Sequence, residues 1–358
     1  MKKNIPFAKP YLDEQELNAI QRVLKSGWLT MGQETVLFER EFACYVDAKC
    51  AIAVNSCTSA LFLALKAVGV GKGDEVVVPS FTFASTANVV VHCGATPVFV
   101  DINPNGFTID PISVSHVINK KTKAIIPVHY GGNLAHTEFP VTVIEDSAHR
   151  ITKGYKSRNI VCYSFYATKN LTTGEGGMIT TEDKKLADWF GQARLHGLSR
   201  DAWKRYNPKG KWHYDVEFSG YKMNTIDILS AMGRVQLSKL DEMEKMRKKV
   251  VEIYNRLLGL RNHSMHLYPI LVAERNQFME YMKGNGISCS FHFLPLHKSP
   301  AFASSRQPTL PVTEYVSARV VTLPLFASLS VTDIEYIAQK VKEFGTFREG
   351  KFGIPVLS

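Results

Sequence analysis

The chain has 358 residues, 45% hydrophobic and 21% charged, with a formal net charge of +10 at neutral pH. That length allows one large core plus a smaller one, and the composition is that of a soluble globular protein. No apolar run approaches the roughly 18 to 20 residues of a membrane span, and the basic residues are too dispersed for a nucleic-acid footprint. The amino terminus, MKKNIPFAKPYLDE, lacks the apolar stretch of a secretory signal. Six cysteines (Cys44, Cys50, Cys57, Cys93, Cys162 and Cys289) form no CxxC pair and mostly lie in apolar stretches. They read as free buried thiols in a reducing, cytoplasmic setting rather than as a disulfide or zinc framework.

Asp13 followed by Glu16, then Leu17, Ile20, Val23 and Leu24, predicts a capped amphipathic helix. A second helix is expected from about Glu34 to Val46. From there strands and helices alternate. AIAVN (51–55) is a strand and TSALFLALKAV (58–68) a helix. EVVVPS and TPVFVDI are strands around a helical piece from Ser85 to Val91, and KAIIPVHY, VTVIEDS, NIVCYSF and MITT complete the series. Near-continuous Val/Ile runs separated by helices predict a parallel sheet covered on both faces. The glycines at 69, 71 and 73 follow a helix rather than a strand, so neither a P-loop nor a dinucleotide fingerprint fits them.

Leu237, Leu240, Met243, Met246, Val250, Ile253 and Leu257 keep a helical period, predicting one long helix over about 225–258. It would bridge a large domain (1–240) and a smaller α+β domain (241–358). In the latter, HLYPILV and the stretch around GISCSFHF read as strands, and VTEYVSARVV and TDIEYIAQKVKEF as helices.

Several pieces fall at the carboxyl ends of strands, where open α/β sheets place their ligands. NSCTSAL opens a helix whose free N–H groups and dipole suit an anion, with the hydroxyls of Thr58 and Ser59 as further donors. Taken alone, an ordinary N-cap is the simpler reading. VIEDSAH ends a strand with Glu145 and Asp146 pointing to opposite faces, so one carboxylate faces the ligand side. In SFYATKNLTTGEGG, Lys169 stands between a buried strand and a glycine-rich turn, with Ser164 close enough to share the same anion. An anion seat, a carboxylate and a lysine are what pyridoxal 5'-phosphate (PLP) requires. Its phosphate takes the helix start, its ring nitrogen a carboxylate, and its aldehyde an amine.

Together, SFYATKNLTTGEGG, NSCTSAL, GDEVVVPSFTFASTANVV, VIEDSAH and GYKMNTIDILSAMGRVQL resemble the DegT/DnrJ/EryC1/StrS family of PLP-dependent sugar-nucleotide aminotransferases. The motifs occur in the family's order over nearly the whole chain. The resemblance implies the aspartate-aminotransferase fold (fold type I), with a large domain on a mostly parallel sheet and a smaller carboxyl-terminal α+β domain. GISCSFHFLPLHKSPA and LPVTEYVSARVVTLPLFASLS look most like the branch that aminates 4-keto-6-deoxy sugars, and CTSAL is similar to the dTDP-4-amino-4,6-dideoxygalactose transaminases.

Carried over by position, Lys169 matches the Schiff-base lysine, which also moves the proton, and Asp146 the ring-nitrogen partner. Thr58, Ser59 and Ser164 match phosphate ligands, and Phe83 the aromatic residue covering the ring. His149 stands where the family has Gln or His near the phenolic oxygen. Asn224 matches a phosphate ligand supplied by the neighbouring subunit, which implies a homodimer with shared sites. Trp28, Thr30, Tyr214, His292 and His297 match segments near the nucleotide sugar, although a turn, a surface aromatic or core histidines account for them about as well. Pro295 spoils His292 and His297 as a metal pair, and no metal is expected.

The implied reaction moves an amino group from L-glutamate to a nucleoside-diphosphate keto sugar, at C4 of a 4-keto-6-deoxyhexose, for a deoxyamino sugar of a surface polysaccharide. Amination at C3, a sugar that is not 6-deoxy, and the identity of the nucleotide stay open. Relatives carry a longer helical excursion where this chain has only NLAHTEFPVT, and the links after His149 and before HLYPI are also short. These trims leave the cofactor positions in place. A related dehydratase of the same fold would carry histidine in place of Lys169. A non-catalytic regulator would have no need to keep Lys169, Asp146, Thr58 and Ser164 together.

Overall fold

The computed structural model describes residues 3–199, 214–302 and 309–358. Its first sheet has seven strands: β1 (Cys50–Val54), β2 (Glu75–Pro79), β3 (Thr96–Val100), β4 (Thr122–Ile125), β5 (Thr142–Asp146), β6 (Ile160–Ser164) and β7 (Gly177–Thr181). They lie in the order β1-β7-β6-β5-β4-β2-β3. From β3 through β6 every pair is parallel. β7 is antiparallel to both β6 and β1, so the sheet is mixed rather than wholly parallel. The reason lies in the link. A parallel return needs a crossover that carries the chain back along the sheet, usually a helix, whereas the link over 165–176 holds no helix and turns the chain straight back.

Helices cover both faces, as the apolar runs require. On one side α3 (Cys57–Ala67), α4 (Ala84–His92) and α6 (Lys184–Ala193) bury Leu61, Leu65, Val90 and Phe190 against Val76, Val78, Ile144 and Ile179. On the other, Phe38, Phe42 and Val46 of α2 (Gln33–Val46) pack with Tyr163, Phe165 and Met178. The first helix, α1 (Glu14–Ser26), has the expected cap. Asp13 accepts from the Gln15 N–H, and Glu16 reaches back to the Asp13 N–H at 2.9 Å. A single turn of helix, α5 (Pro111–Ser115), leads towards β4.

The single long helix expected over 225–258 is two helices, α7 (Asp227–Ser238) and α8 (Leu240–Leu258), broken at Lys239. Lys239 is buried there, its ammonium 2.5 Å from Glu16 and 3.2 Å from Asp13. The apolar period runs on across the break, because both helices bury the same side. Periodicity alone cannot register a change of axis. With the break, α7 packs Ala231 against Ala19 and Val23 of α1, while α8 carries Leu240 and Met243 in the first core and Val250, Tyr254 and Leu258 in a second.

That second core lies under a four-stranded sheet ordered β10-β11-β8-β9, made of β8 (Tyr268–Val272), β9 (Val320–Leu323), β10 (Phe347–Glu349) and β11 (Pro355–Leu357). α9 (Arg275–Gly284) and α11 (Val331–Phe344) cover it with Phe278, Met282, Ile337 and Val341. Two sequence expectations fail here. The stretch around GISCSFHF is no strand. It makes only isolated bridges, Ile287 to Ile5 and Ser290 to Thr322, and then leads its aromatic residues towards the first sheet. VTEYVSARVV divides into a short helix, α10 (Pro311–Ser317), and the start of β9, where β-branched Val320 and Val321 are wholly buried beside β8. Among the described residues, no helix is long and apolar enough to cross a membrane.

Candidate active site

Asp146 and Glu145 end β5 on opposite faces, and their surroundings separate their tasks. Glu145 is fully buried and accepts from His129 Nε2 (2.9 Å), the Tyr155 hydroxyl (2.8 Å), Ser157 Oγ (2.5 Å) and Asn159 Nδ2 (2.8 Å). Burial pushes its pKa up, but these donors outweigh it and hold the carboxyl below its ordinary value. The Ala135 N–H donates to His129 Nδ1 at 3.1 Å, so a neutral His129 carries its proton on Nε2, facing Glu145. This carboxylate is consumed inside the fold.

Asp146 faces the other way. One oxygen accepts from Thr86 Oγ1 (2.9 Å), itself 3.0 Å from Thr82 Oγ1. The other accepts from the Ala148 N–H (3.1 Å) and lies 4.0 Å from Cys57 Sγ. Burial raises its pKa, with the Ala148 N–H, Thr86 and the charge of Lys169 opposing.

Lys169 follows β6 in a turn in which its N–H donates to the Tyr166 carbonyl at 2.9 Å. Burial pushes its amine down to about 8, against the opposing pull of Asp146 and Cys57. Near neutrality this lysine therefore supplies unprotonated amine that an ordinary surface lysine does not.

The helix start predicted at NSCTSAL is α3, capped by Ser56, whose hydroxyl accepts from the Ser59 N–H at 3.1 Å. The Ser59 hydroxyl donates to Asn55 Oδ1 at 2.6 Å, and Thr58 is exposed. Gly177 brings the pieces together. It pairs with Val54 on one side and Ser164 on the other, which sets Ser164 beside the opening of α3. A side chain at 177 would collide with that helix, its Cβ only 2.5 Å from the Ser56 carbonyl carbon and 2.7 Å from the Cys57 nitrogen. Asn224 bridges Val54 of its own chain; its amide donates to the Thr225 carbonyl (2.8 Å) and accepts from Lys222 (2.7 Å).

Phe83 precedes α4, exposed, with its ring 6.1 Å from that of Phe293. His149 is buried between rings, stacked on Phe293 (centroids 5.8 Å, planes 15° apart) and 4.6 Å from His266. Its Nδ1 accepts from the Gly131 N–H at 3.2 Å, so the neutral ring presents Nε2–H as a donor. Burial, with Lys169, His266 and His292 adding to it, holds His149 well below the usual histidine range.

His292 stacks on Phe7 (5.4 Å) and meets Thr322 Oγ1 through Nδ1 (3.0 Å). Burial and Lys169 push it down to about 4. His297 is engaged on both ring nitrogens, by Ser80 (2.6 Å) and Glu314 (3.4 Å). Trp28 donates to the Met31 carbonyl at 3.3 Å, and the Thr30 carbonyl accepts from the Asp227 N–H at 3.2 Å. Tyr214 is exposed, next to the undescribed residues.

Of the residues picked from sequence, Asp146, Lys169, His149 and His292 form one electrostatic cluster, with Thr58, Ser59, Ser164 and Asn224 gathered where α3 meets β1 and β7. Sequence reading passed over Thr86, whose spacing of four from Thr82 places both on one side of the helix start. It also missed His266, which no local signal marks. Among the described residues, no group of three or more His, Cys, Asp or Glu is placed to hold a metal.

The residues present suit PLP. Lys169 can offer a free amine, and Asp146 is a carboxylate in reach of a cation. The absence of a Cβ at residue 177 lets β7 abut the amino end of α3, which brings Ser164 beside the N–H groups of that helix start. Fold and donor set define the class, a PLP-dependent aminotransferase of fold type I. The model of the DegT/DnrJ/EryC1/StrS aminotransferase family matches residues 10–342. The chain is 40% identical to the spore coat polysaccharide biosynthesis protein SpsC of Bacillus subtilis (strain 168), over 95% of this chain and 96% of SpsC. It superposes on the PLP form of Spr1654 from Streptococcus pneumoniae with a TM-score of 0.85, at 29% identity, over 94% of this chain and 97% of that one. Helicobacter pylori PseC, an aminotransferase involved in the biosynthesis of pseudoaminic acid, gives 0.86 at 26% identity, over 95% and 99%. The chain belongs to the DegT/DnrJ/EryC1/StrS aminotransferase family.

Proposed function

We propose that this enzyme moves the amino group of L-glutamate to a nucleoside-diphosphate keto sugar, at C4 of a 4-keto-6-deoxyhexose, in making a deoxyamino sugar for a surface polysaccharide. The observation that carries the reading is the Lys169 amine, pushed down to about 8 opposite the buried Asp146 at the strand ends of this family's fold. The names of SpsC and PseC, which refer to polysaccharide and to pseudoaminic acid biosynthesis, support a sugar substrate. A net charge of +10 suits a ligand bearing a diphosphate.

Bound PLP supplies an aldehyde for an amine and a ring that withdraws electrons from the reacting bonds. The chain supplies the rest. Lys169 would hold the aldehyde through Nζ and would carry a proton to and from the substrate carbon. Asp146 would hold the ring nitrogen in its protonated form. Thr58, Ser59 and Ser164 would seat the phosphate, with Asn224 from the partner of a homodimer. Phe83 would cover the ring, and His149 would offer its Nε2–H to the phenolic oxygen. Trp28, Thr30, Tyr214, His292 and His297 are the candidates to meet the sugar nucleotide. His297 is the weakest, since both its nitrogens are engaged.

The test is a panel of nucleoside-diphosphate keto sugars incubated with 15N-labelled L-glutamate, with the product read by NMR. Nitrogen at C4 is the expected result, and nitrogen at C3 would move the reading to the other regiochemistry. A protein that aminates none of these sugars would contradict it.

A further inference from the structure

The residue after Lys169 is bound more tightly than the turn it belongs to requires. Asn170 is buried, and each polar group of its side chain is engaged. Its amide nitrogen donates to Glu244 Oε1 at 2.6 Å and lies 3.5 Å from the Met265 carbonyl. Its main-chain carbonyl accepts from Arg247 Nη1 at 3.3 Å. Its side-chain oxygen lies 3.0 Å from His266 Nδ1. Because that oxygen can only accept, His266 carries its proton on Nδ1 and keeps a lone pair on Nε2. His149, 4.6 Å away ring to ring, has the opposite tautomer, fixed by the Gly131 N–H on its Nδ1.

His266 lies just before β8, the strand that opens the second sheet, and Glu244 and Arg247 belong to α8. The Lys169 turn is thus tied to α8 and to the entry of β8 through Asn170, by its side chain to Glu244, Met265 and His266 and by its main-chain carbonyl to Arg247. We infer that His266 is a positioning residue for Lys169: its Nδ1–H, donated to Asn170, holds the lysine turn against α8 and β8. This rests on the reading of Lys169 as the lysine that bonds PLP. The hydrogen bond carries the inference. It implies that loosening the turn lets water reach an amine whose pKa is held down by burial. The groups whose charge couples to that amine are Asp146, Cys57, His149, His266 and His292.

Two variants separate the two ring nitrogens. His266→Asn keeps an amide N–H close to where Nδ1 was, whereas His266→Gln places its amide nearer Nε2 and loses the donor to Asn170. In cofactor-free protein, the rate at which an amine-specific reagent labels Lys169, followed by mass spectrometry across pH, reports the lysine itself. Wild type and His266→Asn should share a midpoint near 8. His266→Gln should shift it up by about one unit, roughly ten-fold less free amine at neutral pH. With PLP bound, His266→Gln should lower kcat for the glutamate half-reaction with KM unchanged, and His266→Asn should restore it.

Equal midpoints and equal kcat for the two variants, each with a wild-type melting temperature, would overturn the inference. So would a His266→Asn as impaired as His266→Gln. Should wild-type protein bond no PLP at Lys169, the functional reading fails, while the labelling comparison still decides whether His266 governs the lysine.

Discussion

At the scale of single residues, the site is a set of groups held away from their ordinary charge states by burial, and pH exposes them. Lys169 titrates near 8 in the folded protein, against 10.5 as a free side chain. Between those values the unfolded chain binds the extra proton, so stability of the cofactor-free protein should rise with pH through that window. Lys169→Met should remove this slope, as pH-dependent thermal denaturation would show. His292 runs in the same sense at lower pH. Folded it titrates near 4 and unfolded near 6.5, so its contribution is lost as pH falls from 6.5 towards 4. His149 and His266 are shifted in the same direction and should steepen the loss.

Asp146→Asn removes a charge worth roughly 1 to 3 pKa units to a neighbouring cation. It should slow amino transfer by about ten- to a thousand-fold while PLP still binds, measured as half-reaction rates. At this scale the sequence was legible where chemistry demands a rare residue in a set place, as with Lys169 after a buried strand and Asp146 ending another. It was silent on tautomers and on His266, which depend on neighbours distant in the chain.

Elements are fixed by caps and close approaches as much as by periodicity. The start of α2 shows this. Its cap residue, Gly32, has no side chain to offer, and Asp227 does the work from nearly two hundred residues away. The buried Asp227 carboxylate accepts from the N–H groups of Gly32 (2.7 Å), Glu34 (3.1 Å) and Thr35 (3.0 Å) and from the Thr35 hydroxyl (2.7 Å). Asp227→Ala should cost about 1 to 3 kcal/mol, read as a lowered melting temperature, because those donors would be left buried and unpaired. Trp28 and Thr30, picked as substrate residues, belong to the turn that enters this cap.

The Asp13–Glu16 box was legible because it is local, and the Asp227 cap was not because its partners are remote. The break at Lys239 and the reversed β7 escaped for a related reason. Hydrophobic period reports which side of a segment is buried, not where its axis turns or which way a strand runs.

For the whole molecule, the fold class was readable because the Val/Ile runs and the motifs occupy nearly the full chain. A helix joining the two cores was expected over about 225–258, and α8 does carry buried residues into both; the break at Lys239 and the short strands β10 and β11 were not legible. Whether the assembly shares its sites is testable by mixing. If Asn224 serves the partner's site in a homodimer, subunits carrying Lys169→Ala and Asn224→Ala, dissociated and mixed, should recover up to about a quarter of wild-type activity, because each mixed dimer regains one intact site. No recovery would place Asn224 in its own chain's site.

The central claim is that Lys169 bonds PLP and that the loaded enzyme takes an amino group from L-glutamate. The measurement that tests it most directly is the near-visible absorption spectrum of the purified protein with PLP, before and after L-glutamate, beside a Lys169→Ala variant. A yellow band that L-glutamate bleaches, and that the variant does not form, is the predicted result. A wild-type protein that stays colourless with added PLP would contradict the account.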